Sequence, residues 1–488
     1  MRFADGHDTV NMSRRSEEVV AMAANTPEWV RSAVIYEVFP RSHAADGTFA
    51  GVYRDLERIA RLHTDILWLM PIHPIGVAGR KGTLGSPYAI RDYRAIHPDL
   101  GDERSFRMLI DAAHALGMKV MMDVVYNHTS RDSVLLSEHP GWFMRDAHGS
   151  PAGKVGDWSD VYDLDYSCKS LWDYQIATLE EWVDCGIDGF RCDVAPLVPL
   201  EFWMTARARL AKRAQAQLKE LVWLAESVDK SFIKSLRDQG FTAHSDPELH
   251  AAFDLTYDYD GFEYLRGFMQ GQRPLGDYLN HLYIQETLYP AGAVKMRFIE
   301  NHDNPRAAGL IGSRHSLLNW TVFYSLLPGA TLVYAGQERA SRHCPDLFRR
   351  DPVRWECGDD IGDACDAASA TAALEFEAFF QKVLGLSKTI KKTCARSAVS
   401  EPAEGVAKIV WSGSGATYVA FANLAGREGQ MHLDGREADQ LRRGRACLGE
   451  RPNECTGERL CLRLTGLPLV VRTAGSATST SDRSDDDD

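Results

Sequence analysis

The 488-residue sequence is defined first by what it does not have. It contains no CxxC pair, so its ten cysteines offer neither a zinc ribbon nor a thioredoxin-like redox site. No uninterrupted apolar run is long enough to span a bilayer. Basic charge is not in excess: the formal net charge is −13, which argues against nucleic acid or an anionic membrane as the main partner. The first twenty residues, MRFADGHDTVNMSRRSEEVV, carry charges where a secretory leader needs an apolar stretch. No GxGxxG follows the first apolar run, which counts against an open dinucleotide-binding sheet. These absences predict a cytoplasmic protein with free thiols and no membrane segment. The acidic balance suits a neutral substrate such as a sugar.

What is present is an alternation of strand-like and helix-like segments. Strand patterns fall at 34–40, 65–72, 119–127, 186–193, 221–226, 251–257, 294–300 and 330–335. Helical spacing marks 48–62, 102–117, 167–184, 200–219, 230–239, 261–289, 314–327 and 373–390. Eight such pairs predict a (β/α)8 barrel, with an open doubly wound sheet as the alternative. A polar stretch at about 129–166 is too long for an ordinary connection and predicts a small subdomain inserted after the third strand. From about 391 the pattern becomes short alternating runs such as VAKIVWSG and TYVAFANLA, expected to form an antiparallel β-sandwich. The expected organisation is a poorly ordered leader at 1–28, a barrel domain at 29–390, a β domain at 391–473 and a disordered acidic tail at 474–488.

The chemistry sits where the strands end. Asp123 and His128 surround one strand end, Arg191 and Asp193 another, Glu226 a third, and Glu300 to Asp303 a fourth. In an α/β barrel the strand ends form the catalytic face. Cleaving a sugar acetal needs an acid for the leaving oxygen, and a retaining route needs a second carboxylate as nucleophile. A third could stabilise charge developing at the ring. Asp193, Glu226 and Asp303 could meet these needs. Singly, each reads as a helix cap or a loop ion pair; jointly, with histidine or arginine beside two of them, that reading weakens. Arg191 lies two residues before Asp193, hence on the same side of the strand, where its charge would keep Asp193 ionised. Glu226 must be protonated to act as an acid, so its site should be less polar. Cys192, between them in sequence, should point away as a buried small hydrophobe.

In order along the chain, DVVYNH (123–128), GFRCD (189–193), the Glu226 strand end and His302-Asp303 resemble the four sequence regions of the α-amylase superfamily of retaining α-glucosidic enzymes. Tyr162-Asp163-Leu164-Asp165 resembles the short fifth motif, and GSPYAIRDY (85–93) resembles the segment that carries a sugar-stacking tyrosine. The likeness covers about 33–390. It implies Asp193 as nucleophile, Glu226 as general acid and base, and Asp303 as the group that binds sugar hydroxyls and favours the distorted ring. It further implies that His128 and His302 bind hydroxyls and that Tyr88 stacks beneath the sugar. Trp142 and Trp158 are further stacking candidates, against simple subdomain packing. Trp68 and Trp223 fall within strands and read as core.

One departure stands out. After Asp193 the run is Val194-Ala195-Pro196-Leu197, without the Lys-His pair of many family members, whose His carbonyl helps bind calcium. Asn127 matches a family calcium ligand, which makes calcium a candidate cofactor; a hydrogen bond to loop backbone is the alternative for this side chain. The expected function is α-1,4 hydrolysis in starch, glycogen or maltodextrin. Alternatives within the family are α-glucosidase, maltogenic amylase and glucanotransferase. An alternative of another class is a non-catalytic glycan- or partner-binding relative, which intact carboxylates disfavour. The oligomeric state has no signature in the sequence.

Overall fold

The computed structural model describes residues 23, 26–355, 367–433, 435–450, 453–454, 460–464 and 466–474. Most of the expected leader, the acidic tail, Cys357, Cys365 and Cys455 lie outside these residues. Eight parallel strands close into a barrel. They are β1 (Val34–Val38), β2 (Ile66–Leu69), β3 (Lys119–Val124), β4 (Gly189–Cys192), β5 (Val222–Ala225), β6 (Leu255–Tyr257), β7 (Val294–Arg297) and β8 (Ala330–Tyr334). Closure is made by β1 on β8, with Val34 opposite Thr331.

Nearly every strand residue is buried, because side chains alternate between the barrel interior and the helix layer and neither face meets water. Helix Glu103–Ala115 begins at a reciprocal cap in which Asp102 and Ser105 each accept from the other's backbone N–H. Gly189 is required where β4 meets β5: a Cβ there would lie 2.4 Å from the Val222 carbonyl oxygen. That close approach fixes the register that carries Arg191 and Asp193 to the barrel mouth.

Two elements differ from expectation. The helix expected at 48–62 divides into Phe49–Tyr53 and Leu56–Arg61. Asp55, at the break, is held by His43 and Arg58. The strand expected at 251–257 shrinks to Leu255–Tyr257, because the turn that ends the short helix Asp246–Leu249 takes up 251–253: the N–H groups of Ala251, Ala252 and Phe253 donate back to the carbonyls of Glu248 and Leu249.

The inserted segment leaves the end of β3 and returns to it. Strand His128–Ser130 pairs antiparallel with Val161–Asp163, placing His128 opposite Asp163. The C-terminal part forms a five-stranded and a three-stranded antiparallel sheet. Val419, Phe421 and Val471 of one share a core with Met431, Leu433 and Leu462 of the other. This unit packs on helix Arg314–Leu326: Trp411 Nε1 donates to the Leu326 carbonyl, and Trp320 Nε1 to that of Leu424. Among the described residues no helix is long and apolar enough to cross a membrane.

Candidate active site

The site is organised around one buried cation. Arg191 leaves β4 toward the barrel mouth with a fully buried side chain. Its Nη1 lies 2.9 Å from Asp123 Oδ1 and 3.0 Å from Asp193 Oδ1. Its Nη2 lies 3.0 Å from Glu226 Oε1, and its Nε donates to the Tyr257 hydroxyl at 3.1 Å. The rings of Trp68, Tyr88 and Tyr257 pack 5.4 to 5.5 Å from the guanidinium carbon. Three carboxyl groups from the ends of three neighbouring strands are thus gathered on one planar fork, each through a single oxygen.

Three carboxyls on one guanidinium cannot all ionise freely. Burial pushes Glu226 up to about 8, against the pull of Arg191 and with the push of Asp193. Burial likewise raises Asp193 to about 7 and Asp123 to about 6, each opposed by Arg191. The expectation that Arg191 favours the Asp193 carboxylate holds in sign, but burial outweighs it. Glu226 holds its proton most tightly of the three. Its Oε2 also accepts the Val194 N–H at 2.6 Å. Val194 adopts a left-handed backbone at φ 34°, a strained conformation for a β-branched residue directly after Asp193.

Asp303 stands across the mouth, its side chain 42% exposed. Burial would raise its pKa, but the neighbouring His302 charge and hydrogen bond hold it below the usual carboxylate range. His302 Nε2 lies 3.1 Å from Asp303 Oδ2 and 2.7 Å from the Tyr88 hydroxyl; its Nδ1 meets Glu37, which projects from β1. Burial alone would lower His302, yet Asp303 and Glu37 raise it well above the ordinary histidine value. Tyr88 lies stacked with the His302 ring, centroids 5.6 Å apart, and its hydroxyl reaches Asp123 at 3.2 Å.

His128 Nε2 faces Asp193 Oδ2 at 3.9 Å, and its ring packs 5.2 Å from Trp158. Burial lowers His128 to about 4, so it is neutral. Tyr88, His128, Asp193, Glu226 and Asp303 all line one cleft of about 360 Å³. Its walls include Trp158, Phe232 and the partly exposed Phe348.

The structure gathers Tyr88, Asp123, His128, Arg191, Asp193, Glu226, His302 and Asp303 at the barrel mouth. Trp158 lines the cleft, whereas Trp142 packs inside the inserted segment, stacked on His139 and bonded to Ser170. Cys192 is buried and free. Glu300 bonds Arg306 and the Ala307 N–H, and Asn301 accepts the Asp303 N–H. Glu37, Tyr257 and Lys154 were not anticipated. A glutamate inside the apolar run VIYEVFP was a usable signal for the first; Lys154 had none.

Calcium does not fit at Asn127. Its Oδ1, the atom a cation would need, accepts from the Lys154 ammonium at 2.7 Å. Among the described residues no group of three His, Cys, Asp or Glu side chains is arranged to hold a metal ion.

Known proteins resemble this chain along most of its length. A family model described as alpha amylase, catalytic domain, matches residues 2–146 and 155–373. The crystal structure of an alpha-amylase from Lactobacillus plantarum superposes with a TM-score of 0.81 at 41% identity, covering 92% of this chain and all of that one. The noncanonic maltogenic alpha-amylase AmyB from Thermotoga neapolitana gives 0.74 at 33% identity, covering 91% of this chain and 99% of its own. Among curated relatives, alpha-amylase MalA of Haloarcula japonica is 26% identical over 395 residues, 78% of this chain and 55% of its own length. An alpha-1,4-glucan:maltose-1-phosphate maltosyltransferase of Myxococcus xanthus is 31% identical over 264 residues, 49% of this chain and 39% of its own length. The chain therefore spans about two fifths to just over half of these two curated relatives.

Proposed function

Because the chain belongs to the alpha-amylase family, we propose that it is a retaining hydrolase of α-1,4 bonds in starch, glycogen or maltodextrin. The observation that carries this reading is the pair of carboxyls on opposite nitrogens of Arg191, with Asp303 across the same cleft. Asp193 is the nucleophile: it attacks the anomeric carbon as the glycosidic bond breaks, leaving a glycosyl ester on its carboxylate. Glu226 gives its proton to the departing oxygen, then takes one from the water that cleaves the ester. Retaining enzymes set their two carboxyls about 5–5.5 Å apart, closer than inverting ones, and a shared guanidinium favours such closeness.

Burial supports the division of labour. The carboxyl with the higher pKa, Glu226, holds the proton when Asp193 has lost its own. Asp303, ionised and exposed to the cleft, is placed to accept from sugar hydroxyls and to favour the positively charged ring. The charged His302 and neutral His128 supply hydroxyl contacts on either side, and Tyr88 offers an aromatic surface. A cleft bounded by a short insertion suits cleavage within chains rather than at their ends.

A second reading, transfer of a maltosyl or glucan unit to another sugar, is favoured by the match to maltosyltransferases. It uses the same ester and differs only in the acceptor that reaches it. The test is incubation with a blocked nitrophenyl maltoheptaoside and with soluble starch, products followed by chromatography. Short maltodextrins are expected from both. Longer products formed only when an acceptor sugar is supplied would move the assignment to transfer. Asp193→Asn is expected to lose at least ~10³-fold in turnover while keeping its fold and its glucan affinity. Near-normal turnover in that variant overturns the assignment.

A further inference from the structure

We propose that the Lys154 ammonium is a built-in cation that clamps the insertion to the barrel rim and fixes the His128 tautomer. The side chain of Lys154 is 8% exposed and converges on three oxygens from three separate segments. Nζ lies 2.7 Å from Asn127 Oδ1, just after β3, and 3.3 Å from the Leu197 carbonyl, in the turn after Asp193. It lies 3.7 Å from Asp163 Oδ2 on the returning strand of the insertion, and Asp163 Oδ2 also accepts the Lys154 N–H at 3.0 Å. An amide oxygen, a backbone carbonyl and a carboxylate form an oxygen set of the kind hard cations choose. The ammonium fills its centre with one positive charge and three donors. Calcium needs six to eight oxygens at about 2.3–2.6 Å and could not share that space with Nζ. Leu197 takes part only through its carbonyl, so the loss of the family's histidine side chain at this point does not disturb the clamp.

The consequence for the cleft follows from donor and acceptor chemistry. An ammonium only donates, so Asn127 must turn its oxygen toward Lys154 and its Nδ2 away. That Nδ2 lies 3.2 Å from His128 Nδ1 and must donate to it. His128 therefore carries its proton on Nε2, the atom facing Asp193 Oδ2 at 3.9 Å. In this way a lysine in a loop of the insertion decides which ring nitrogen can donate into the cleft. Lys154 is a positioning residue. The clamp itself stands whether or not the reading of a retaining hydrolase holds; only its effect on turnover rests on that reading.

The experiment compares the full-length wild type with Lys154→Ala, and with Lys154→Met as a second variant should alanine fail to fold. Thermal unfolding of the wild type is expected to be unchanged between excess chelator and millimolar calcium chloride. Lys154→Ala in chelator is expected to unfold several degrees lower and to lose about tenfold in kcat/KM on the nitrophenyl substrate. Nitrogen NMR of histidine-labelled protein, with His128 assigned by its absence in His128→Gln, is expected to show the Nε2–H tautomer in the wild type. Lys154→Met is expected to lose that preference. A wild type destabilised by chelator and restored by calcium overturns the proposal, as does a Lys154 variant with unchanged melting and unchanged His128 signal. The melting and NMR arms need no turnover, so a failure of the hydrolase reading would leave them readable.

Discussion

Replacing Glu226 with glutamine should make the protein more resistant to unfolding as pH rises. In the folded chain burial raises Glu226 from about 4.5 to about 8. The folded state therefore binds this proton more tightly than the unfolded state between those values, and stability falls as pH climbs through that window. A shift of about 3.5 units corresponds to at most about 5 kcal/mol, fully expressed above pH 8. Well below pH 4.5 both states hold the proton and the cost vanishes. Glutamine has no proton to lose, so its stability lacks this pH-dependent loss. Unfolding entropy scales at about 2.1 cal/mol/K per residue, so a chain of this length converts 1 kcal/mol into roughly 1 °C. The quantity to measure is the difference in melting temperature, variant minus wild type, by calorimetry from pH 5 to pH 9. Glutamine also puts an amide donor where one of the carboxyl oxygens faced Arg191 or the Val194 N–H and so shifts the whole curve, which is why the slope and not the offset is diagnostic. The difference should grow by about 2–5 °C across the range. A flat or falling difference would show that Glu226 is not held protonated by burial.

Other outcomes follow from the same cleft. The pH profile of kcat/KM should be bell-shaped with limbs near 7 and 8, because the active form needs Asp193 ionised and Glu226 protonated; these apparent values belong to the coupled pair, and a profile flat from pH 5 to 9 would refute the assignment. Trp158→Ala should raise KM for a maltoheptaoside about two- to tenfold with little change in kcat, since an aromatic face contributes about 0.5–1.5 kcal/mol; steady-state kinetics that find only kcat altered would count against a sugar platform there.

How much of this was legible in the sequence depends on the range of the interaction. The barrel could be read because each strand is a short apolar run followed by a helical period, both local patterns. The carboxylates could be read because each lies one to a few residues beyond such a run, as Asp193 follows GFRC and Glu226 follows VWLA. Arg191 could be placed beside Asp193 by strand alternation alone. That it would also reach Asp123 and Glu226 depends on the register of β3, β4 and β5, which no local pattern encodes. Lys154 was hidden for the same reason: two of its three partners lie 27 and 43 residues away, and a lone lysine in a polar stretch reads as a solvated loop. The short β6 was misread because Ala251, Ala252 and Phe253, which read as the start of an apolar strand, instead close the end of the preceding short helix.

The most direct measurement is the mass of the Glu226→Gln protein after incubation with α-maltosyl fluoride. Fluoride leaves without acid assistance, whereas release of the sugar from the enzyme needs the missing base. One maltosyl unit should accumulate, ester-linked to the peptide that carries Asp193. Fluoride release with no adduct, or an adduct on any other side chain, would contradict a covalent route through Asp193.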